Sequence, residues 1–231
     1  MTASGLELRP DGRADLRHVT TWLFDLDNCL YPQDTEFVAL IDERITAFVM
    51  RQLGLDHAAA RTLQRRYLHE HGTTLAGLMA HEGIDPHAYL DEVHDVSIDS
   101  LSPDPELAAA LERLPGRRLV FTNASARHAA RVLEHLEIAD HFEGVFHLEA
   151  ADLAPKPTLP AYRAMMAAHA VEPAVTAFFE DSVKNLAPAA ELGMTTVLVG
   201  RHASADESPF VDHRTPALTP FLQRARTSLE P

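Results

Sequence analysis

The sequence has a single cysteine, Cys29, among its 231 residues. An intrachain disulfide is therefore excluded, and so is a zinc site built on clustered cysteines. None of the 14 histidines lies in the H-E-x-x-H pattern of zinc hydrolases, and His69 and His71 face different ways at i, i+2 on a predicted helix. We expect Cys29 to pack rather than react, because the carboxylates of Asp25 and Asp27 close before it disfavour a thiolate.

Positive charge is also scarce, since 20 Lys and Arg residues stand against 34 Asp and Glu residues for a formal net charge of −14. Such a surface repels polyanions, so nucleic acid is not an expected partner. No apolar run reaches the length of about 18 residues that a membrane helix needs, and segment 1–20 lacks the apolar stretch of a signal peptide. We expect a cytoplasmic protein with no membrane partner, either a monomer or a homodimer.

Short apolar runs and helix-like segments alternate over most of the chain, and 46% of the residues are apolar, enough for a buried core. The run 19–25 is apolar and ends in polar residues, as expected of a strand buried on both faces of a parallel sheet. Further strands are predicted at 118–124, 144–148, 176–182 and 194–200, and helices at 126–136, 158–169 and 185–192. This alternation predicts an α/β fold with a doubly wound parallel sheet. Segment 201–216 is predicted to be a loop before a last short helix.

Segment 35–99 differs from the rest, because its apolar residues recur at three- and four-residue spacing with no strand-like run between them. Helices are predicted there at 37–49, 58–69, 74–81 and 86–96. Residues 33–103 are therefore predicted to form a helical cap inserted between the first and second strands. The sheet domain, the core, is then predicted to comprise residues 1–32 and 104–231.

Polar side chains stand at the carboxyl ends of the predicted strands. They are, in chain order, Asp25 and Asp27, Thr122 and Asn123, Lys156 in the loop after the third strand, and Glu180 and Asp181. In doubly wound sheets ligands bind at this edge. Four carboxylates repel one another there unless a cation lies among them, and hard oxygen ligands suit Mg²⁺. A lysine and a hydroxyl are groups that bind phosphate, so the set predicts phosphoryl chemistry.

Asp25 and Asp27 are two residues apart on an extended backbone, so their side chains point to the same side and can reach one substrate. An aspartate can act as a nucleophile through a covalent aspartyl-phosphate. We hypothesise that Asp25 attacks phosphorus, while Asp27 protonates the leaving oxygen and later deprotonates the hydrolytic water.

The segments FDLDNCLY, FTNAS, APKP and FFEDSVKN resemble, in order and spacing, the four motifs of the haloacid dehalogenase-like (HAD) hydrolases. Further stretches, among them DNCLYP, HGTTLAGLM, FTNASARHAARVL and FFEDSVKNLAPAAELGMTTVLV, are similar to the pyrimidine 5′-nucleotidase branch of that superfamily. The resemblance implies a Rossmann-like core with a helical cap, a small phosphate ester as substrate, and Mg²⁺ as cofactor.

The resemblance also implies roles for single residues. Asp25 is the implied nucleophile and Asp27 the acid/base. Thr122 and Lys156 are the implied phosphate-binding pair. Mg²⁺ is implied to be held by Asp25, the backbone carbonyl of Asp27, and Asp181. The sequence departs from the family pattern in having Glu180 where the last motif has Asp, and we expect Glu180 to reach the metal through water or to support its ligands.

Two further assignments have alternatives. Thr122 and Asn123 either bind phosphate or cap the helix that follows, and Asn123 is expected to contribute to the cap even where Thr122 binds phosphate. Thr73 and Thr74 either face the site and select the leaving group, as the resemblance suggests, or cap the helix after Gly72.

Several functions use such a residue set. The first is a Mg²⁺-dependent phosphatase of nucleoside 5′-monophosphates such as UMP or CMP, and close to it is a phosphatase of another small metabolite. A 2-haloacid dehalogenase also uses an aspartate nucleophile but needs neither a metal nor a leaving-group acid. A phospho-accepting signalling domain and an inactive ligand-binding relative are the non-enzyme alternatives.

Overall fold

The computed structural model describes residues 13–229. Residues 1–12 lie outside the described residues, and they include the start of the predicted core segment 1–32 and most of the polar segment 1–20. The described residues form one six-stranded sheet, all parallel, in the order β3-β2-β1-β4-β5-β6. The strands are β1 Thr21–Phe24, β2 Arg117–Phe121, β3 Gly144–Phe146, β4 Thr176–Glu180, β5 Thr195–Val199 and β6 His213–Thr215. The doubly wound α/β fold is confirmed.

Nine α-helices accompany the sheet within residues 13–229. They are α1 Glu36–Leu53, α2 His57–His71, α3 Thr74–Glu82, α4 Pro86–Val93, α5 Pro105–Glu112, α6 Ala126–His135, α7 Leu159–His169, α8 Val183–Leu192 and α9 Leu218–Arg224. None of these helices is long and apolar enough to cross a membrane.

The central strands are buried on both faces, as their apolar runs predict. Successive residues of β1 point to opposite faces, so Trp22 and Phe24 join one apolar cluster while Leu23 joins the other. Phe24 stacks on Phe179 of β4 with ring centroids 4.8 Å apart. Cys29 lies buried in the first cluster, and burial raises the pKa of its thiol well above the usual value, in agreement with a packing role.

The prediction that residues 201–216 form a loop was wrong in one part, because β6 lies within them and pairs parallel with β5. A strand of three residues, His-Arg-Thr, has no hydrophobic alternation to reveal it in the sequence. Contacts from the preceding loop hold it, since the Arg214 side chain donates to Asp206 and to the carbonyls of Ser208 and Val211.

The four helices α1–α4 lie between β1 and β2 and share an apolar cluster that includes Phe48, Tyr67 and Leu78. Each begins at a side chain that accepts a backbone N–H, in chain order Thr35, Asp56, Thr73 and Asp85. Val96 and Leu101 lie within the predicted insertion 33–103 but pack with the apolar cluster on the sheet. The division into a core and a cap at residues 33 and 103 stays a prediction.

Gly72 brings the turn between α2 and α3 directly against the loop of Lys156. Its φ is +82°, and a Cβ added there would lie 2.9 Å from the Lys156 carbonyl oxygen and 3.0 Å from Cδ of Pro157. Both neighbours belong to the main chain or to a proline ring, so they cannot turn aside as a flexible side chain would. The turn and the lysine loop therefore fit together only with glycine at this position.

We expect Gly72→Ala to lower the free energy of unfolding by about 2 kcal/mol or more, from left-handed strain and from the contact with Lys156. Gly83→Ala is the matched control, because Gly83 ends α3 at a φ of +63° with nothing within 4 Å of its added Cβ. Denaturant unfolding of both variants compares the cost of a positive φ alone, at Gly83, with the cost of a positive φ and a close contact, at Gly72. Equal losses would show that the two loops are not in close contact.

Candidate active site

The order of the strands gathers the predicted site residues at one edge of the sheet. β1 lies between β2 and β4, so the order of the strands reverses direction at β1. Ligands bind in the crevice at such a switch point. Asp25 follows β1 directly, and its N–H donates to the carbonyl of Phe179 at 2.8 Å. A cavity of about 1210 Å³ opens here, and all nine predicted residues line it: Asp25, Asp27, Thr73, Thr74, Thr122, Asn123, Lys156, Glu180 and Asp181.

Lys156 is a fully buried cation at the bottom of this cavity, 1% exposed. Its Nζ donates to Asp25 Oδ1 at 2.6 Å, to Glu180 Oε2 at 2.7 Å and to the Phe121 carbonyl at 2.8 Å. Burial alone would lower the pKa of Lys156, but the two carboxylates raise it above its usual range. Because an ammonium has three donors, a direct bond to phosphate, which stays a prediction, requires one of these bonds to be exchanged.

Asp25, Glu180 and Asp181 form a compact cluster, with one carboxylate oxygen from each within 4.8 Å of the others. Burial and the charge of Glu180 raise the pKa of Asp25 to about 8 despite Lys156. Burial and the same neighbour also raise the pKa of Asp181 well above its usual value. One ammonium cannot balance the charge of three carboxylates, which therefore repel one another. Because carboxylate oxygens are hard ligands, the cluster fits a divalent cation.

The hydrogen bonds show which oxygens of the cluster remain for a ligand. Glu180 accepts from Lys156 through Oε2 and from the N–H groups of Asp181 and Ser182 through Oε1, at 3.1 Å each. Asp181 Oδ2 accepts from Asn28 at 3.1 Å. Within residues 13–229, Asp25 Oδ2 and Asp181 Oδ1 accept no hydrogen bond. This agrees with an arrangement in which Asp25 and Asp181 contact a cation while Glu180 supports them.

The carboxylate of Asp27 turns away from this cluster. Its Oδ1 accepts from the Tyr31 hydroxyl at 2.5 Å and from His128 Nε2 at 2.8 Å. Burial alone would raise the pKa of Asp27, but His128 and the hydrogen bond from Tyr31 lower it to about 2. In this arrangement Asp27 is ionised at neutral pH, the state that a general base requires, and it must gain a proton before it can act as an acid.

The two residues after β2 differ in what they offer a ligand. The Thr122 hydroxyl oxygen accepts from the N–H of Ala124 at 3.0 Å, and its proton is donated to no other described residue. The Asn123 amide instead holds the lysine loop, accepting from the Lys156 N–H at 2.7 Å and donating to the Lys156 carbonyl at 3.1 Å. A phosphate role for Thr122 is thus open, whereas the side chain of Asn123 positions Lys156.

The hydroxyls of the cap residues Thr73 and Thr74 have partners within the protein. Thr73 caps α3 by accepting from the N–H of Ala76 at 3.0 Å, as the alternative from the sequence predicts. Thr74 is buried and donates to the Gln64 carbonyl at 3.3 Å. Both line the cavity, so selection of the leaving group by these residues stays a prediction.

Sequence reasoning missed three residues of the site: Asn28, Tyr31 and His128. Asn28 and Tyr31 lie within four residues of Asp27, inside the segment FDLDNCLY. Polar side chains so soon after a buried strand could have identified both as site residues. The signal for His128 was weaker. It lies on the first turn of α6, on the face that includes the buried Ala129 and Val132, and a polar residue on a buried helix face needs a partner.

The comparisons with known proteins concern the family and the fold of the chain. The family model of the haloacid dehalogenase-like hydrolases matches residues 19–193. The chain is 32% identical over 134 residues to Phosphate metabolism protein 8 of Saccharomyces cerevisiae, an alignment that covers 54% of this chain and 42% of that protein. The match thus spans less than half of the length of this relative.

Solved structures share the fold at low sequence identity. A HAD phosphatase from Thermococcus onnurineus superimposes with a TM-score of 0.60 at 18% identity, covering 90% of this chain and all of that one. L-2-haloacid dehalogenase from Xanthobacter autotrophicus gives a TM-score of 0.58 at 17% identity, over 89% of this chain and 97% of that one. Since the family model covers most of the chain and the structures share its fold, the protein belongs to the haloacid dehalogenase-like hydrolases.

Proposed function

We propose that this protein is a Mg²⁺-dependent phosphomonoesterase that works through an aspartyl-phosphate on Asp25. The observation that carries the proposal is the buried Asp25 carboxylate, held by Lys156 at 2.6 Å in a cluster with Glu180 and Asp181 at the open edge of the sheet. The names of a relative, Phosphate metabolism protein 8, and of a structural neighbour, HAD phosphatase, support phosphate chemistry.

The reaction has two displacements in this proposal. In the first, a carboxylate oxygen of Asp25 forms a bond to phosphorus as the bond to the ester oxygen breaks, and that oxygen takes a proton from Asp27 to leave as an alcohol. In the second, water gives a proton to Asp27 as its oxygen bonds to phosphorus, and the bond to Asp25 breaks to release inorganic phosphate. The nucleophile and the proton carrier are regenerated together.

The metal site of the proposal consists of Asp25, Asp181 and the backbone carbonyl of Asp27, with Glu180 as their support. When bound, Mg²⁺ would offset the negative charge of the carboxylates and of the phosphoryl group. Lys156 keeps Asp25 in place, and Thr122 has a hydroxyl proton for a phosphoryl oxygen. Asn123 acts indirectly, through the peptide of Lys156.

We further propose nucleoside 5′-monophosphates with a pyrimidine base as substrates, and helices α1–α4 as the cap over them. The cavity extends from the carboxylates to Ile41 and Ile45 on α1 and to Arg65 and Leu68 on α2. Its volume of about 1210 Å³ is ample for a nucleotide. Another small phosphate ester remains the alternative within the same chemistry.

Dehalogenation of 2-haloacids is the second candidate, because structural neighbours include L-2-haloacid dehalogenases. That reaction uses an aspartate nucleophile but gives no role to a proton donor for an alkoxide or to the cluster of Asp25, Glu180 and Asp181. The residues of this site therefore favour phosphate esters. The signalling alternative predicts one phosphorylation without turnover, and the inactive alternative predicts none.

The test is phosphate release from nucleoside 5′-monophosphates, sugar phosphates and p-nitrophenyl phosphate, with Mg²⁺ or with excess EDTA, beside halide release from 2-chloropropionate. We expect release from UMP and CMP with Mg²⁺ and its loss with EDTA. Mg²⁺ should also raise the melting temperature of the protein, because it binds only the folded state, and should do so much less in Asp181→Asn. Halide release that persists in EDTA would replace the proposal with dehalogenation.

A further inference from the structure

Two side chains outside the predicted catalytic set hold a single oxygen of Asp27. The Tyr31 hydroxyl and His128 Nε2 both donate to Oδ1, at 2.5 and 2.8 Å. Within the described residues, Oδ2 has no hydrogen-bond partner, and Asp27 lines the cavity. A carboxylate fixed through one oxygen by two donors cannot rotate freely, so its other oxygen keeps one direction.

The two donors are themselves held by one ring. Phe37, fully buried at the start of α1, lies 5.7 Å from the ring of Tyr31 and 5.7 Å from the ring of His128. The imidazole of His94, at the end of α4, lies 4.1 Å from that of His128. From the same helix as His128, Arg131 donates to the carbonyls of His94 and Val96.

These contacts place His128 between the catalytic edge of the sheet and both ends of the helical segment α1–α4. His128 is 2% exposed, so its ring has little room to leave this position. Phe37 lies where that segment begins and His94 where it ends. The orientation of Asp27 is thus built into the junction between these helices and the sheet.

We propose that His128 and Tyr31 are positioning residues, which aim Oδ2 of Asp27 at the leaving oxygen of the substrate. The inference rests on the proposed phosphatase function, in which Asp27 gives a proton to the leaving group. It predicts that loss of either donor lowers kcat/KM most for the substrates whose leaving group most needs that proton. p-Nitrophenolate leaves unprotonated at neutral pH, whereas the alkoxide of a nucleoside 5′-monophosphate does not.

The experiment compares kcat/KM for UMP and for p-nitrophenyl phosphate in His128→Leu, His128→Gln and Tyr31→Phe. This constant covers steps only up to formation of the phosphorylated Asp25, so the later role of Asp27 with water does not enter it. For His128→Leu we expect a loss of about 100-fold on UMP and less than about tenfold on the aryl ester. His128→Gln keeps an N–H donor and should restore part of the difference, and Tyr31→Phe should show the same pattern more weakly.

His135→Leu is the matched control, since His135 lies on the same helix and contacts the Leu101 carbonyl, not Asp27. We expect it to change both esters equally, if at all. Equal losses on the two esters in His128→Leu and Tyr31→Phe would overturn the positioning role and leave the phosphatase standing. If His128→Leu does not fold, Tyr31→Phe decides the question, because it removes one hydroxyl and keeps the ring against Phe37. No phosphate release by the unmodified protein would overturn the proposed function and this inference with it.

Discussion

Replacing Asp25 by Asn is expected to reduce phosphate release by about 10⁴-fold or more, because it removes the atom that forms the covalent bond. An amide of the same shape is a poor nucleophile, and no other carboxylate occupies its position. Glu180 has both oxygens in hydrogen bonds, and Asp27 is turned towards Tyr31 and His128. The remaining carboxylate of the cluster, Asp181, is a metal ligand in the proposed mechanism.

Asp25→Asn should leave the fold intact and, in EDTA, raise the melting temperature of the protein. Asp25 is buried beside Glu180, and both burial and this neighbour raise its pKa to about 8, so its charge is a cost to the folded state. Asn removes the charge, and its carbonyl oxygen can still accept from Lys156. Gain of stability on loss of activity is typical of residues held in an unfavourable site for function.

The measurements are turnover, thermal unfolding, and phosphoprotein trapped by acid quench from labelled substrate. Unmodified protein should yield a base-labile phosphoprotein that Asp25→Asn does not. Asp34→Asn is the control, since Asp34 lines the same cavity, is exposed, and contacts Arg201 at 3.6 Å, and we expect it to keep nearly full activity. Turnover in Asp25→Asn above about one hundredth of the unmodified level would rule out the covalent mechanism.

The gathering of the candidate site residues at one edge of the sheet was predictable from the sequence, because it depends on few physical rules. Buried parallel strands read as apolar runs, and all their carboxyl ends lie at one edge. Asp25, Thr122 and Glu180 each follow such a run within a residue or two. Their meeting in one cavity required no knowledge of side-chain directions.

What the sequence did not reveal depends on those directions. The contact between His128 and Asp27 spans 101 residues and exists only because α6 packs with one particular face inward. The occupation of every donor of Lys156 likewise follows from three strand ends meeting around it. β6 was missed for a related reason, because its three residues are polar and form a strand only where β5 provides an edge to pair with.

The second large effect is expected in the free energy of unfolding when the buried ammonium of Lys156 is removed. Lys156→Met leaves Asp25 and Glu180 buried, with no positive charge between them, and removing one partner of a buried ion pair costs about 3–5 kcal/mol. Lys184, the other lysine of the sequence, is exposed, and among residues 13–229 it donates only to the His69 carbonyl. Lys184→Met, the matched control, should cost less than about 1 kcal/mol.

The pH dependence has a definite sign. Lys156 lowers the pKa of Asp25 against burial and Glu180, so its loss moves that pKa further above the unfolded value. A carboxyl whose pKa is raised in the folded state binds its proton more tightly there, and its stability contribution is lost as the pH rises. In EDTA, Lys156→Met should therefore be much less stable at about pH 8 than at about pH 5.

A double variant distinguishes this electrostatic cause from loss of packing. If the cost arises from two unbalanced carboxylates, adding Glu180→Gln to Lys156→Met should restore about 1 kcal/mol or more, because one buried charge disappears. Glu180→Gln alone should destabilise, because both Glu180 oxygens accept hydrogen bonds and the NH2 group of Gln would have to face one of these donors, either Lys156 Nζ or the N–H groups after β4. If the cost arises instead from the shape of the lysine side chain, the two changes should add, as independent substitutions do. Denaturant unfolding of the four proteins decides between these causes, and additive losses would show that Lys156 is held in the site by its packing rather than by the charges around it.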